Sequence, residues 1–259
     1  MLLIRSVLFN ISFYLYTFLL MLVMIPVFFL PRKLGIKAVP LWTKGNFFLL
    51  KYIGGVNSEV LNGDRIPQQG CIIASKHQSA WETFAFMPWL NDPTYILKAE
   101  LRKVPFFGWY LRKFDQIPVN RGRKGAAMQE MTLKAKEAIA DGRHIIIFPE
   151  GTRRPAAEEP KYKYGITHLY LNLNCPVVPI GLNSGVYWPR RRFFRFPGTI
   201  TAQVMEPIEP GLSAEEFNKR LQAAIEGSSQ ELFEKAARET PDNIIVKEGR
   251  ERLAQRNKD

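Results

Sequence analysis

The sequence predicts an α/β protein: a mostly parallel central sheet flanked by helices, preceded by an N-terminal membrane helical hairpin. Three observations carry this expectation. The first thirty residues hold far more than their share of the apolar side chains. From about Val56 onward, short apolar runs alternate with amphipathic stretches, the signature of strand–helix repeats. Polar residues able to do chemistry follow the apolar runs directly, where the loops of a parallel sheet build a site.

Residues 1–55 are expected to anchor the chain. The run 11–30 carries no charge, and its length suffices to cross a hydrocarbon core of ~30 Å as a helix. Pro26 is expected to kink that helix without ending it, which lipid permits. A cleavable signal fits poorly, because the run is too long and no small-residue cleavage site follows. A second apolar stretch, 42–53, carries Lys44 and Lys51 and reads as interfacial. Arg5 precedes the first run, while Arg32, Lys33 and Lys37 follow it. This bias places the rest of the chain on the cytoplasmic side.

The formal net charge of +12 calls for a polyanionic partner. A membrane surface explains it better than nucleic acid, since no helix-turn-helix, zinc-finger or aromatic RNA-binding pattern occurs. Cys71 and Cys175 lie far apart without CxxC or Cys/His spacing, so neither a metal site nor a disulfide is expected. Both read as small buried hydrophobes in a reducing compartment.

Residues 56–240 form the expected α/β domain. Strands are predicted at 71–75, 94–97, 144–148 and 177–182, with weaker candidates at 117–119 and 199–204. Helices are predicted at 126–140 and 165–173. A third follows Ser213, whose capping box with Glu216 opens a helix to about Ala237. The charged tail, 241–259, is expected to fray.

Three constellations bear chemistry. His77 follows the strand 71–75 directly, and Glu82 lies five positions on, in KHQSAWET. On an α-helix that spacing sets side chains ~140° apart. The pair can therefore meet only if Ser79 caps a helix with Glu82 in its first turn and His77 outside. The carboxylate would then hold one imidazole nitrogen and free the other as a base. The plainer reading is a capping box of Ser79 and Glu82, which leaves the histidine unexplained. The second constellation, HIIIFPEGTRR, ends a strand in a tight loop with Glu150, Gly151, Thr152 and Arg153. The glycine lets backbone bend around a ligand, and the guanidinium suits phosphate. As a bland alternative it is a surface turn. The third, IPVNRGRK, ends a short strand in a basic loop with Arg121, either a phosphate site or a solvated charge run.

Together these motifs resemble the glycerolipid acyltransferase family, and within it the bacterial 1-acylglycerol-3-phosphate acyltransferases. Four blocks match in order: His77 with Glu82, then residues 117–121, then Phe148-Pro149-Glu150-Gly151-Thr152-Arg153, then Val177-Val178-Pro179-Ile180. The likeness spans roughly residues 57–210, and the apolar N-terminus is similar too. Glu82 departs from the family's usual aspartate by one methylene. Lys98 is similar to a lysine that lines the family's phosphate pocket.

The resemblance implies transfer of a fatty acyl chain from a thioester to the free sn-2 hydroxyl of lysophosphatidic acid. It implies His77 as general base and Glu82 as its orienting carboxylate. Arg121, Arg153 and Lys98 would clamp the phosphate, with Glu150, Gly151 and Thr152 also in the phosphate-binding site and Glu150 orienting an arginine or a glycerol hydroxyl. No cofactor is implied, only acyl-CoA or acyl carrier protein as co-substrate. The implied partners are membrane lipids and the lysophospholipid acceptor, and the implied place is the bacterial inner membrane, facing the cytoplasm. Two alternatives stay open: another acceptor such as lyso-ornithine lipid, and a non-catalytic membrane-anchored lipid-binding module. A serine hydrolase lacks its G-x-S-x-G elbow here.

Overall fold

In the computed structural model, which describes residues 1–120 and 124–256, seven strands form one sheet. They are β1 (Val56–Leu61), β2 (Ile72–Ser75), β3 (Thr94–Lys98), β4 (Ile117–Val119), β5 (Ile145–Ile147), β6 (Val177–Leu182) and β7 (Gly198–Val204). Their order is β1-β7-β6-β2-β5-β3-β4. The five from β6 to β4 run parallel, as expected. β7 is antiparallel to β6, and β1 is parallel to β7, so this outer pair runs the other way. The sequence pattern does not announce β1. Asn57, Ser58 and Glu59 interrupt its apolar residues, and at a sheet edge all three stay exposed.

The sheet is buried on both faces. In β2, Ile73 enters one apolar cluster while Ile72 and Ala74 enter the other, as the two-residue period of a strand requires. In β5, Ile146 opposes Ile145 and Ile147 in the same way. Covering both faces is what lets these strands read as unbroken apolar runs.

The helices are α1 (Leu2–Val23), α2 (Arg32–Gly35), α3 (Val39–Leu49), α4 (Phe107–Lys113), α5 (Lys124–Ala140), α6 (Gly165–Leu173), α7 (Ser184–Tyr187), α8 (Ala214–Glu239) and α9 (Ile244–Arg256). α5 buries Met131, Ala135 and Ala138, as its apolar stripe predicts. α8 starts at the expected cap, where Ser213 Oγ accepts the Glu216 N–H at 3.2 Å. It sets Phe217, Leu221 and Ile225 in one cluster and Phe233, Ala236 and Ala237 in the other. Between them Ser228 and Ser229 meet Gly181 of β6 so closely that a Cβ there would clash with the helix.

Two expectations fail. The run 11–30 is not one helix. α1 ends at Val23, and Ile25–Phe29 forms a separate 3₁₀ segment with Pro26 in its first turn. Proline has no N–H to extend the ladder, and its ring turns the preceding residue away from helix. The helix gains its length at the other end and takes in Arg5. By length and composition α1 can cross a membrane. The described part of the tail also does not fray: α9, which ends at Arg256, buries Ile245 and Val246 in the core.

α1 lies antiparallel to α3 and the π-helical turn Leu50–Gly54 that prolongs it. Arg5 Nε donates to the Ile53 carbonyl at 3.0 Å, and Tyr16 OH donates to the Leu41 carbonyl at 2.7 Å. This pair shares the core of the sheet. Phe9 is fully buried, edge-on to Trp188 with centroids 5.1 Å apart.

Candidate active site

The parallel strands deliver their C-terminal ends to one edge of the sheet. His77 leaves β2 there, the Pro149–Arg153 loop leaves β5, and Lys98 closes β3. The register Lys98↔Val119 sets Lys98 beside the end of β4. Arg121, expected just beyond that end, lies outside the described residues.

His77 and Glu82 meet. Nδ1 of the imidazole is 2.9 Å from Glu82 Oε1. The helix expected to bring them together is not α-helical. Trp81–Thr83 is one 3₁₀ turn, and Ser79 Oγ accepts the Trp81 N–H at 2.9 Å while donating to Glu82 Oε2 at 2.8 Å. Glu82 turns back over this segment. Its Oε1 accepts the amides of Gln78 and Ser79 at 2.6 and 2.7 Å, and its Oε2 accepts Ser184 Oγ at 2.9 Å. Burial pushes this fully buried carboxyl up, but the His77 hydrogen bond and charge, with the Ser79 amide, outweigh it and hold it below the ordinary range. An ionised carboxylate only accepts, so Nδ1 carries a proton, and in the neutral imidazole Nε2 is the nitrogen with the lone pair. The Phe148 ring stacks on the imidazole, centroids 3.9 Å apart, and fixes its plane. Among the described residues no hydroxyl or thiol bonds Nε2, so the pair is arranged to activate an incoming group.

The loop after β5 is held by its backbone. Gly151 sits at φ +63°, a left-handed conformation that favours glycine, and its N–H closes the turn onto the Phe148 carbonyl at 2.8 Å. The Arg154 N–H donates to the His77 carbonyl at 2.7 Å, which ties this loop to the residue bearing the imidazole. Thr152 and Arg153 are exposed.

Glu150 points elsewhere. It is buried against Lys76 Nζ at 3.1 Å, and the same ammonium reaches Glu226 Oε2 of α8 at 2.8 Å. Tyr162 OH donates to Glu226 Oε1 at 2.9 Å. Burial pushes the Glu150 carboxyl up, Glu226 adds to this, and Lys76 opposes it. Sequence reasoning missed Lys76, Glu226 and Ser184. Ser184 lies 102 positions from Glu82, and only the pairing of β2 with β6 joins them.

A cavity of about 360 Å³ lined by Lys33, Lys37, Asp92 and Asp141 holds none of these groups, so the imidazole edge remains the candidate site.

An imidazole backed by an ionised carboxylate, at the mouth of a parallel sheet and beside an arginine loop, is an arrangement able to take a proton from an incoming group. The chain belongs to the acyltransferase family. The family model described as Acyltransferase matches residues 57–183, the span that holds every residue of the pair and of the loop. The chain is 36% identical to a 1-acyl-sn-glycerol-3-phosphate acyltransferase of Pseudomonas aeruginosa over 199 residues, 74% of this chain and 76% of that one. It is 30% identical to the human 1-acyl-sn-glycerol-3-phosphate acyltransferase beta, over 63% of this chain and 60% of that one. Its fold is similar to the crystal structure of the 1-acyl-sn-glycerophosphate (LPA) acyltransferase PlsC of Thermotoga maritima. The TM-score is 0.74 at 25% identity, over 92% of this chain and 98% of that one.

Proposed function

We propose that this acyltransferase moves a fatty acyl chain from an acyl thioester to the free sn-2 hydroxyl of lysophosphatidic acid, giving phosphatidic acid. The observation that carries the reading is the His77–Glu82 pair with its outward Nε2 beside the Arg153 loop. The names of the relatives supply the acceptor.

In this mechanism Nε2 of His77 removes the hydroxyl proton as the oxygen attacks the thioester carbonyl. Glu82 stabilises the imidazolium that forms. The C–S bond then breaks, and the thiolate leaves with the proton returned by the imidazolium. A base of this kind contributes ~10²–10⁴-fold. Arg153, with Lys98 and Arg121, holds the phosphate and so sets the hydroxyl against Nε2. Thr152 lines the same mouth, and Gly151 shapes the turn. Glu150 supports the loop from behind through Lys76. The step is complete without metal or cofactor. The thioester, on coenzyme A or acyl carrier protein, is a co-substrate.

α1 and the helix beside it would anchor the chain in the bacterial inner membrane, with the site facing the cytoplasm. Exposed Leu8, Leu15 and Leu19 share one face of α1, which supports this placement.

An acceptor panel with the purified full-length protein and both thioester carriers tests the reading. Lysophosphatidic acid should be acylated far faster than lyso-ornithine lipid or a monoacylglycerol. Preference for lyso-ornithine lipid would move the function to that acceptor. No product with any acceptor or donor would leave a lipid-binding module.

A further inference from the structure

We propose that Arg190 is a phosphate-binding group of this site, closing a guanidinium clamp with Arg153 next to His77. The proposal rests on the acyl-transfer reading and adds to it a residue from the basic aromatic segment 188–196 (WPRRRFFRF), which that reading leaves unused.

The geometry starts from β6. Its C-terminal end leads into α7, where Ser184 bonds Glu82. The chain then returns toward β7 through residues 188–196, and Arg190 is carried back over the loop after β5. There its Nη1 donates to the backbone carbonyl of Arg153. The next residue, Arg154, donates its N–H to the His77 carbonyl. Two hydrogen bonds through the Arg153–Arg154 peptide therefore link the Arg190 guanidinium to the residue that bears the imidazole.

This corner is cationic and largely uncompensated. Among the described residues neither Arg153, Arg190 nor Arg191 has an ion-pair partner. The acids nearby are engaged by other arginines: Glu158 with Arg154 and Arg252 at 3.7 Å each, and Glu248 with Arg192 at 2.8 Å and Arg252 at 3.1 Å. Arg154 Nε is buried without a hydrogen-bond partner. Burial first, then Arg191, Arg153 and Arg154, pull the Arg190 guanidinium below its ordinary value. Like charges gathered beside a catalytic residue repel one another at a cost that an anion between them removes. Forked donors from two directions match the oxygens of a phosphate. That phosphate is carried either by the acceptor's headgroup or by the thioester carrier, and the experiment separates the two.

A rival role is mechanical: Arg190 would only hold the Arg153 carbonyl. Arg190→Gln distinguishes them, because glutamine keeps an N–H donor and drops the charge. If Arg190 binds phosphate, both Arg190→Ala and Arg190→Gln raise the KM of one phosphate-bearing substrate roughly 10-fold, with little change in the other. Arg190→Lys recovers part of the loss. A rise for lysophosphatidic acid assigns the clamp to the acceptor, and a rise for acyl-CoA assigns it to the carrier. Inorganic phosphate should compete with that substrate in the wild type and less so in Arg190→Gln. Wild-type KM values for both substrates in Arg190→Gln, or a loss confined to kcat, overturn the proposal. Wild-type protein that acylates a monoacylglycerol as fast as lysophosphatidic acid overturns the lysophosphatidic acid reading instead, while the acyl-CoA arm still decides for Arg190.

Discussion

Glu82 Oε1 accepts from His77 Nδ1 at 2.9 Å and from the amides of Gln78 and Ser79 at 2.6 and 2.7 Å, so one oxygen both orients the imidazole and closes the turn that carries it. The aspartate usual in the resembled family is one methylene shorter. The extra reach of glutamate here is used on the far side, where Oε2 meets Ser184 at the start of α7.

His77→Ala should lower kcat at least ~10²-fold with the fold intact, because the imidazole is the base of the proposed step. Glu82→Asp should retain more activity than Glu82→Gln, since it keeps the charge and loses reach. Ser184→Ala removes one charge-assisted bond, worth ~1.5–3 kcal/mol. It should lower kcat by about 10-fold and leave the KM of the acceptor nearly unchanged. Steady-state kinetics on the four variants check the order. Wild-type kcat in His77→Ala would remove the imidazole from the mechanism.

The same carboxylate makes stability depend on pH. Its folded value is depressed, so its contribution is complete above the unfolded value of about 4.5 and is lost as pH falls through the folded value. Glu150 is shifted the other way and opposes this trend. The difference between wild type and Glu82→Gln cancels the Glu150 part. Melting temperatures from about pH 7 down to about pH 3 should therefore converge for the two proteins as the acid limit is approached. Parallel curves would mean that Glu82 is not held charged.

Much of this was legible in the sequence because it is local. β2, β5 and β6 are covered on both faces and so appear as apolar runs, and the turn chemistry at Gly151 is written in the glycine itself. His77 and Glu82 are near neighbours in sequence, although a 3₁₀ turn joins them where a capped α-helix was expected. What stayed hidden depends on distant pairing. β1 is polar because it is an edge. Ser184 and Glu226 reach the site only once β6 and α8 are in place. α9 buries Ile245, Val246 and Gly249 and packs Leu253 against the same core, a spacing masked in sequence by the charges between them.

The N-terminal helices answer to two separate tests. A chain starting near Asn57 should not be a clean soluble domain, because it loses Phe9 and Leu50 from the core. Its expected fate is aggregation, which says nothing about membranes. Leu8→Lys, Leu15→Lys and Leu19→Lys together change only exposed side chains of α1. Each leucine buried in lipid is worth ~1.5–3 kcal/mol, so the triple variant should leave the membrane in a high-salt wash yet keep its circular dichroism and melting temperature. Retention after the wash would move the anchor to another surface, with Phe193 and Phe194 in the basic segment the next to substitute.

Lys76 gives the sharpest test of how the site is held. Its side chain is 2% exposed and its ammonium faces two carboxylates, Glu150 from the loop after β5 and Glu226 from α8, with Tyr162 as the other donor to Glu226. Lys76→Met keeps the apolar stem and removes the one cation. Breaking a buried pair in this way costs ~3–5 kcal/mol, because a charge is left without its partner. The sign of the pH dependence follows. Without Lys76 the Glu150 carboxyl, already raised by burial, is raised further. A folded value above the unfolded one favours the protonated native state, so the variant should recover stability at low pH and lose it as pH rises through the raised value. Urea midpoints at about pH 5 and about pH 8 should therefore lie closer to wild type at the lower pH. Lys76→Met with Glu150→Gln should recover part of the loss at the higher pH, since a neutral amide no longer repels Glu226. If Lys76→Met matched wild type at both pH values, the ammonium would not be what binds the loop of Arg153 to the strand of His77.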